Sequence, residues 1–326
     1  MINRIFTICC TVLVGVSGIA SAQQNKPDST KKGHVITIDP TSSNLKGTPA
    51  RKPAKPTTGD LMLGTGKTQP KDLPPAQNKA QEYFNSGSQK GRSGSFDGAI
   101  DDFTKSIQLA ENTNAYMKRG YCYMMKEEFA KAIEDENKAL DLDGRNAKAL
   151  FVRGASKFEL SDPEGAEKDL EISVASEHDN PMAYNYLAAT KFVKQDYKAA
   201  ADLYTQVIKL DSAFPDAFSN RGMMRHNLND FQGAISDYTM ALKKNPRNSS
   251  AYNNRGAAKM MLKDFAGAKI DFDAALFMNP DYADAFNNRG RVKHYLGDDK
   301  GACMDWAKAL ELGIQDSQDM IQKYCK

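Results

Sequence analysis

Ser249–Tyr282 reads SSAYNNRGAAKMMLKDFAGAKIDFDAALFMNPDY, and its pattern returns along the chain at a fixed interval of 34 residues. The glycine of its Arg-Gly pair is Gly256. Steps of 34 residues place Gly120, Gly154, Ala188, Gly222 and Gly290 in the same slot. The alanine of its second half, Ala268, is matched in the same way by Ala132, Ala166, Ala200, Ala234 and Ala302. Two registers of small residues on one period mark a repeat architecture. Each copy is then a helix–turn–helix unit that buries its apolar face by stacking on its neighbours. Glycine inside a helix costs about 1 kcal/mol relative to alanine, so its return predicts a close approach of two backbones. Gly256 and Ala268 are expected where the two helices cross, with Tyr252 and Phe272 filling the space on either side.

The order of these slots resembles a tetratricopeptide repeat: an aromatic, a small residue four later, Ala-x3-aromatic, then proline. Tyr252, Gly256, Ala268, Phe272 and Pro280 fill them, and in the last copy Phe286, Gly290, Ala302 and Trp306, with Ile314 in place of the proline. The other first slots are Tyr116, Leu150, Tyr184 and Phe218, and an irregular first copy carries Tyr83, Gly87, Ala99 and Phe103. Seven copies are counted between Asn78 and Asp316. They depart from the family in having Arg where it has Leu before the glycine, and Lys or Arg where it has Tyr three residues after. The resemblance implies an all-α fold, a right-handed superhelical solenoid of antiparallel helix pairs whose first helices line a concave, protein-binding groove.

Around the repeats the chain divides by composition. Residues 1–22 are read as an export signal: Arg4, an apolar run from Ile5 to Ile19, and Ala20-Ser21-Ala22 as a small-x-small cleavage site. The run is too short for a membrane span, so no span is expected in the mature chain. Residues 23–77 are rich in Pro, Thr, Ser, Lys and Gly and are read as a disordered, mildly basic tether, because so little apolar surface cannot offset ordering entropy. Residues 78–316 hold the repeats and 317–326 a closing helix over the last apolar face. Asp162, Asp196, Asp230, Asp264 and Asp298 stand just before second helices as caps. The turn of the first copy is placed at Gly91–Ser95.

Little in the chain suggests chemistry. Forty-four basic and 41 acidic groups nearly balance at a net charge of +3, which argues against nucleic acid as the main partner. Gly64-Thr65-Gly66-Lys67-Thr68 lacks the upstream glycine of a phosphate loop, since residue 61 is Leu61, and prolines rather than a helix follow. His226 and His294 share a slot two copies apart, too far to share a metal. Of the cysteines beyond the signal, Cys122 is far from the others in copy number, and a Cys303–Cys325 bridge is sterically allowed without being called for. No catalytic residue, cofactor, metal site or small-molecule substrate is assigned.

Two sets of residues remain. Arg119, Arg153, Arg221, Arg255 and Arg289 precede the small slot, and sixteen residues after each stands Asp135, Asp169, Asp237, Asp271 or Asp305. The full-length copy without this arginine has Leu187, and sixteen residues on it has Leu203. Charge goes with charge and leucine with leucine, so the two slots are expected to touch as a structural ladder. The second set faces away from the partner helix, into the groove that the resemblance implies. It comprises Met117, Tyr121, Met124, Phe151, Phe158, Tyr186 and Phe192 in the earlier copies. In the later ones it comprises Asn220, Asn254 and Asn288, Asn253 and Asn287 beside them, and His226 and His294. An asparagine amide both donates and accepts, so a row at helix spacing can clamp an extended backbone; asparagine ladders of this kind occur in some members of the family. The expectation is a non-catalytic adaptor of the bacterial envelope, periplasmic or secreted, that holds a protein or peptide partner. A structural subunit of an envelope or secretion assembly and a glycan-binding module are the alternatives.

Overall fold

The computed structural model describes residues 75–214 and 216–325; the expected signal and nearly all of the tether lie outside them. The described residues form fifteen α-helices and no strand. In chain order these are α1 (Pro75–Arg92), α2 (Phe96–Leu109), α3 (Thr113–Met125), α4 (Phe129–Leu142), α5 (Ala147–Glu159), α6 (Pro163–Ser176), α7 (Pro181–Val193), α8 (Tyr197–Leu210), α9 (Ala217–Asn227), α10 (Phe231–Lys244), α11 (Ser249–Met261), α12 (Phe265–Met278), α13 (Ala283–Tyr295), α14 (Asp299–Glu311) and α15 (Asp316–Tyr324). The chain divides into two compact units, the first holding α1–α7 and the second most of α8 with α9–α15. In the first unit α1/α2, α3/α4 and α5/α6 are antiparallel pairs, and each second helix packs on the first helix of the next pair. The second unit repeats this with α9/α10, α11/α12 and α13/α14, and α15 closes over α14.

The turns explain why each pair forms. In the turns before α2, α4, α6, α8, α10, α12 and α14 one residue takes the left-handed conformation: Gly94, Glu127, Ser161, Gln195, Asn229, Lys263 and Gly297, with φ of 61–64° at the five non-glycine positions, 82° at Gly94 and 85° at Gly297. The aspartate after it then accepts from the backbone N–H three residues on: Gly165 to Asp162, Gly233 to Asp230, Gly267 to Asp264 and Gly301 to Asp298, all at 2.9 Å, and Ala199 to Asp196 at 3.1 Å. These bonds satisfy a donor that the first helical turn leaves open. The first two pairs are the exceptions, because Ser95 and Glu128 stand in this slot and make no cap bond. First helices have caps of their own, which the periodicity did not single out: Asn112, Asn146, Asn180 and Asn248 accept from backbone N–H groups of α3, α5, α7 and α11.

The small slots are tight. A Cβ on Gly256 would stand 2.9 Å from the Phe272 ring, on Gly222 3.0 Å from Tyr238, and on Gly290 2.6 Å from the Trp306 indole. Helix boundaries differ slightly from the sequence reading. The first helix starts at Pro75 rather than residue 78, since a proline in the first turn gives up an N–H that has no partner there. It runs on to Arg92, so the first turn is shorter than expected, and the closing helix is Asp316–Tyr324. That helix turns the chain back on itself, which brings Cys325 beside Cys303 with Cα atoms 5.7 Å apart, and the two form a disulfide. Cys122 is free and buried.

Candidate functional site

The frame of the site is the arginine ladder. In α3, α5, α9, α11 and α13 the arginine makes a two-toothed bond to its aspartate sixteen residues on, with Nη2···Oδ1 at 2.7 Å in each of the five. Its remaining nitrogen reaches back to the second helix of the preceding pair: Arg119 to Thr104, Arg153 to Asn137, Arg221 to Thr205, Arg255 to Thr239 and Arg289 to Asp273. Each arginine therefore ties three helices. A second cation, four residues after the arginine, joins the same carboxylate: Lys157, Arg225, Lys259 and Lys293 lie 2.7–2.8 Å from Asp169, Asp237, Asp271 and Asp305. Lys191, in the leucine-bearing copy, turns instead to Glu167 and Glu171. In the second pair Tyr123 takes the place of the second cation, and burial outweighs Arg119 and holds the Asp135 carboxyl above its usual range.

On the other side of the first helices of unit one lies the apolar set. Met117, Tyr121, Met124, Phe151, Phe158, Tyr186 and Phe192 are all buried. Tyr186 of α7 sits edge-on to both Phe151 and Phe158 of α5, with ring centroids 6.1 and 6.0 Å away. Its hydroxyl donates to Glu159 at 3.3 Å. These rings form a closed seam between successive first helices rather than an open apolar wall. Lys118 is a member of this surface that the sequence reading passed over. Its ammonium donates to Ser88 of α1 at 3.1 Å and lies 4.6 Å from the Phe84 ring centroid. Burial, then the charges of Arg92 and Lys148, push its pKa down to about 8.

In unit two the corresponding seam is polar. Asn220, Asn253, Asn254, Asn287 and Asn288 are all buried, which differs from the open row the spacing suggested. Asn288 Nδ2 of α13 donates to Asn253 Oδ1 of α11, and Asn253 Nδ2 donates to Asn254 Oδ1, both at 3.1 Å. Ser317 of α15 donates to Asn287 Oδ1 at 3.1 Å, and the Trp306 indole N–H to the Asn287 carbonyl. The amides of α11 and α13 thus bond to one another and to the closing helix. On α9 the situation differs, because Asn220 Nδ2, Ser219 Oγ and His226 Nδ1 are buried without a hydrogen-bond partner. The His226 ring stands edge-on to Phe231 at 5.0 Å, and burial pushes its pKa down to about 4, so the imidazole is neutral. His294 is engaged elsewhere, 2.5 Å from Asp299 and against the Tyr324 ring of α15.

Comparison with known proteins places this geometry in a class. The model of the tetratricopeptide repeat family matches residues 86–147 and 151–217, so these stretches carry repeats of this kind. RNA polymerase II-associated protein 3 of Xenopus tropicalis is 28% identical over 127 residues, 39% of this chain and 18% of that protein. Serine/threonine-protein phosphatase 5 of Homo sapiens is 28% identical over 131 residues, 39% of this chain and 26% of that protein. Heat shock protein STI1 of Saccharomyces cerevisiae is 28% identical over 126 residues, 38% of this chain and 21% of that protein. The chain therefore spans 18–26% of the length of these relatives. Among solved structures, YrrB, described as a TPR protein with an unusual peptide-binding site, superposes with a TM-score of 0.54 at 20% identity, over 57% of this chain and 96% of that one. PilF of Pseudomonas aeruginosa does so at 0.53 and 18% identity, over 65% and 97%. Both likenesses are of fold: a stack of tetratricopeptide repeats.

Proposed function

We propose that the chain is a seven-repeat, non-catalytic scaffold of the bacterial cell envelope that binds an extended peptide or a partner's helix along its first helices. The observation that carries this reading is the polar row of unit two, whose first member, Asn220, keeps a buried amide nitrogen without a partner. A buried donor left unsatisfied costs about 1–3 kcal/mol, and a peptide carbonyl laid along the row would remove that cost. Export is supported by Arg4, the apolar run after it and Ala20-Ser21-Ala22. It is supported independently by the Cys303–Cys325 disulfide, since such bonds persist in oxidising compartments. The test is cross-linked capture from an envelope fraction, with and without glycan digestion, reading both the partner and the amino terminus of the bait by mass spectrometry. The expected result is a protein partner that survives digestion, on a bait that begins at Gln23. A partner lost on digestion would replace this reading with glycan binding, and a bait retaining Met1 would remove the cleaved signal.

A further inference from the structure

In every repeat but the second, the second helix carries a large apolar side chain four residues after the small alanine: Phe103, Leu170, Tyr204, Tyr238, Phe272 and Trp306, all buried. In the second repeat that slot holds Glu136. It is 0% exposed, and neither carboxyl oxygen has a hydrogen-bond partner. A Cβ on Gly120 of α3 would collide with its Oε1, so the carboxyl lies against the glycine where other repeats place a ring or, in the third, Leu170.

The residue opposite it follows from the repeat itself. In unit two Phe272 packs with Met260, Ala268 and Val292, and Tyr238 with Ala234 and Ala258. The residue of the next first helix in these clusters is thus twenty positions after the ring. Twenty positions after Glu136 stands Ser156 of α5, also 0% exposed and also without a partner for its hydroxyl oxygen. Two slots that are apolar at both of these seams are both polar here, and both polar groups are unsatisfied. Two independent orphans on facing helices are not explained by packing.

We propose that Glu136, facing Ser156 across the seam between the second and third repeats, is a proton-dependent latch: the seam is closed with the carboxyl protonated and opens as the medium becomes alkaline. Arg153 is the one cation whose charge favours an ionised Glu136, and burial outweighs it. On α3 Arg119 is held by Asp135 and Thr104, and Cys122 is a buried thiol whose pKa is pushed up to about 12. On α5 Arg153 is held by Asp169 and Asn137. On α4 itself Asp135 adds a like charge, and burial above all holds the Glu136 carboxyl well above the ordinary range. The closed seam therefore binds a proton that the open one releases once the pH exceeds the ordinary glutamate value. Stability from this group is complete below that value and is lost as pH rises towards the folded-state pKa. The latch does not depend on what the repeats bind.

The test is hydrogen exchange of full-length protein read on peptides from α4 and α5, between pH 5 and pH 8 and corrected for intrinsic exchange. Relative to Glu136→Gln, the wild-type opening constant is expected to rise close to tenfold per pH unit, the value for one proton. Glu136→Leu, which copies the third repeat's Leu170, should slow exchange at every pH and abolish the difference. Identical pH dependence in wild type and Glu136→Gln overturns the latch. Should the Gln variant fail to fold, carboxyl carbon NMR of the wild type decides: a protonated Glu136 at pH 6 supports the latch, and an ionised one overturns it.

Discussion

The third repeat, in unit one, and the sixth, in unit two, have the same frame and different seams. Arg153 and Lys157 hold Asp169 in one, and Arg255 and Lys259 hold Asp271 in the other, at matching distances. Gly154 lies against Leu170 and Gly256 against Phe272. Yet the first helix of the third repeat offers Phe151 and Val152 where that of the sixth offers Asn253 and Asn254. What makes a repeat is thus a small set of slots between its two helices and its predecessor. The slots on the other side of the first helix are released from that duty, and there the two units have diverged, one sealed by rings and the other by amides.

The largest expected effect probes the shared frame. Asp169→Leu and Asp271→Leu should each destabilise their own unit by about 3 kcal/mol, the low end for breaking a buried pair, because each leaves two part-buried cations without their carboxylate. Adding Arg153→Leu or Arg255→Leu should restore a large part of the loss, leaving only the part-exposed Lys157 or Lys259 without that carboxylate. Leu187 and Leu203 already make that exchange in the fourth repeat. The measurement is a double-mutant cycle by denaturant unfolding, read on the transition of the affected unit, since stacked repeats lose cooperativity along their length. Losses in the two units that differ by more than twofold would show that the frame is not held in common.

His226 and Glu136 should also titrate in opposite directions. His226 in unit two is neutral when folded, with a pKa pushed down to about 4 by burial. The unfolded chain takes up a proton below the ordinary histidine value, so this stability is present above about pH 6.5 and is lost as pH falls towards 4. The loss reaches about 3 kcal/mol. Glu136 in unit one has the reverse sign, losing stability as pH rises. Hydrogen exchange of α9 and α10 between pH 7 and pH 4.5 should show the acid loss, and His226→Phe should flatten it. An unchanged profile in that variant would assign the loss to other groups.

The frame was legible in the sequence because it obeys a strict period. The 34-residue step alone locates Gly256, Ala268 and the capping aspartates, and the paired change to Leu187 and Leu203 names the ladder's partners. The groove residues were legible as a row but not in their state. Whether Asn253 is free or bonded depends on how α11 and α13 rotate against each other, which no periodicity reports. Glu136 is visible in the sequence as the one acid in an otherwise apolar slot, but its residue type alone does not say that the carboxyl is buried. The Cys303–Cys325 bridge was allowed by the sequence but not called for, because it follows from the path of α15, which belongs to no repeat.

The smallest effects separate the amides that bond to one another from the one that does not. Asn288→Ala removes the donor to Asn253 Oδ1 and leaves a buried carbonyl unsatisfied, so unit two should lose about 1–3 kcal/mol. Asn220→Ala removes an amide nitrogen that has no partner, so stability should hold or rise slightly. Its effect belongs to binding. If a peptide carbonyl takes that nitrogen as its donor, affinity for a captured partner should fall by the net value of one hydrogen bond, about 0.5–1.5 kcal/mol. Calorimetry with that partner, beside denaturant unfolding of both variants, reads the two quantities separately. A binding loss for Asn288→Ala that exceeds the loss for Asn220→Ala would move the contact away from α9 and onto the bonded amides, which must then break Asn288–Asn253 to receive it. Wild-type affinity in both variants would take the peptide off the polar seam altogether.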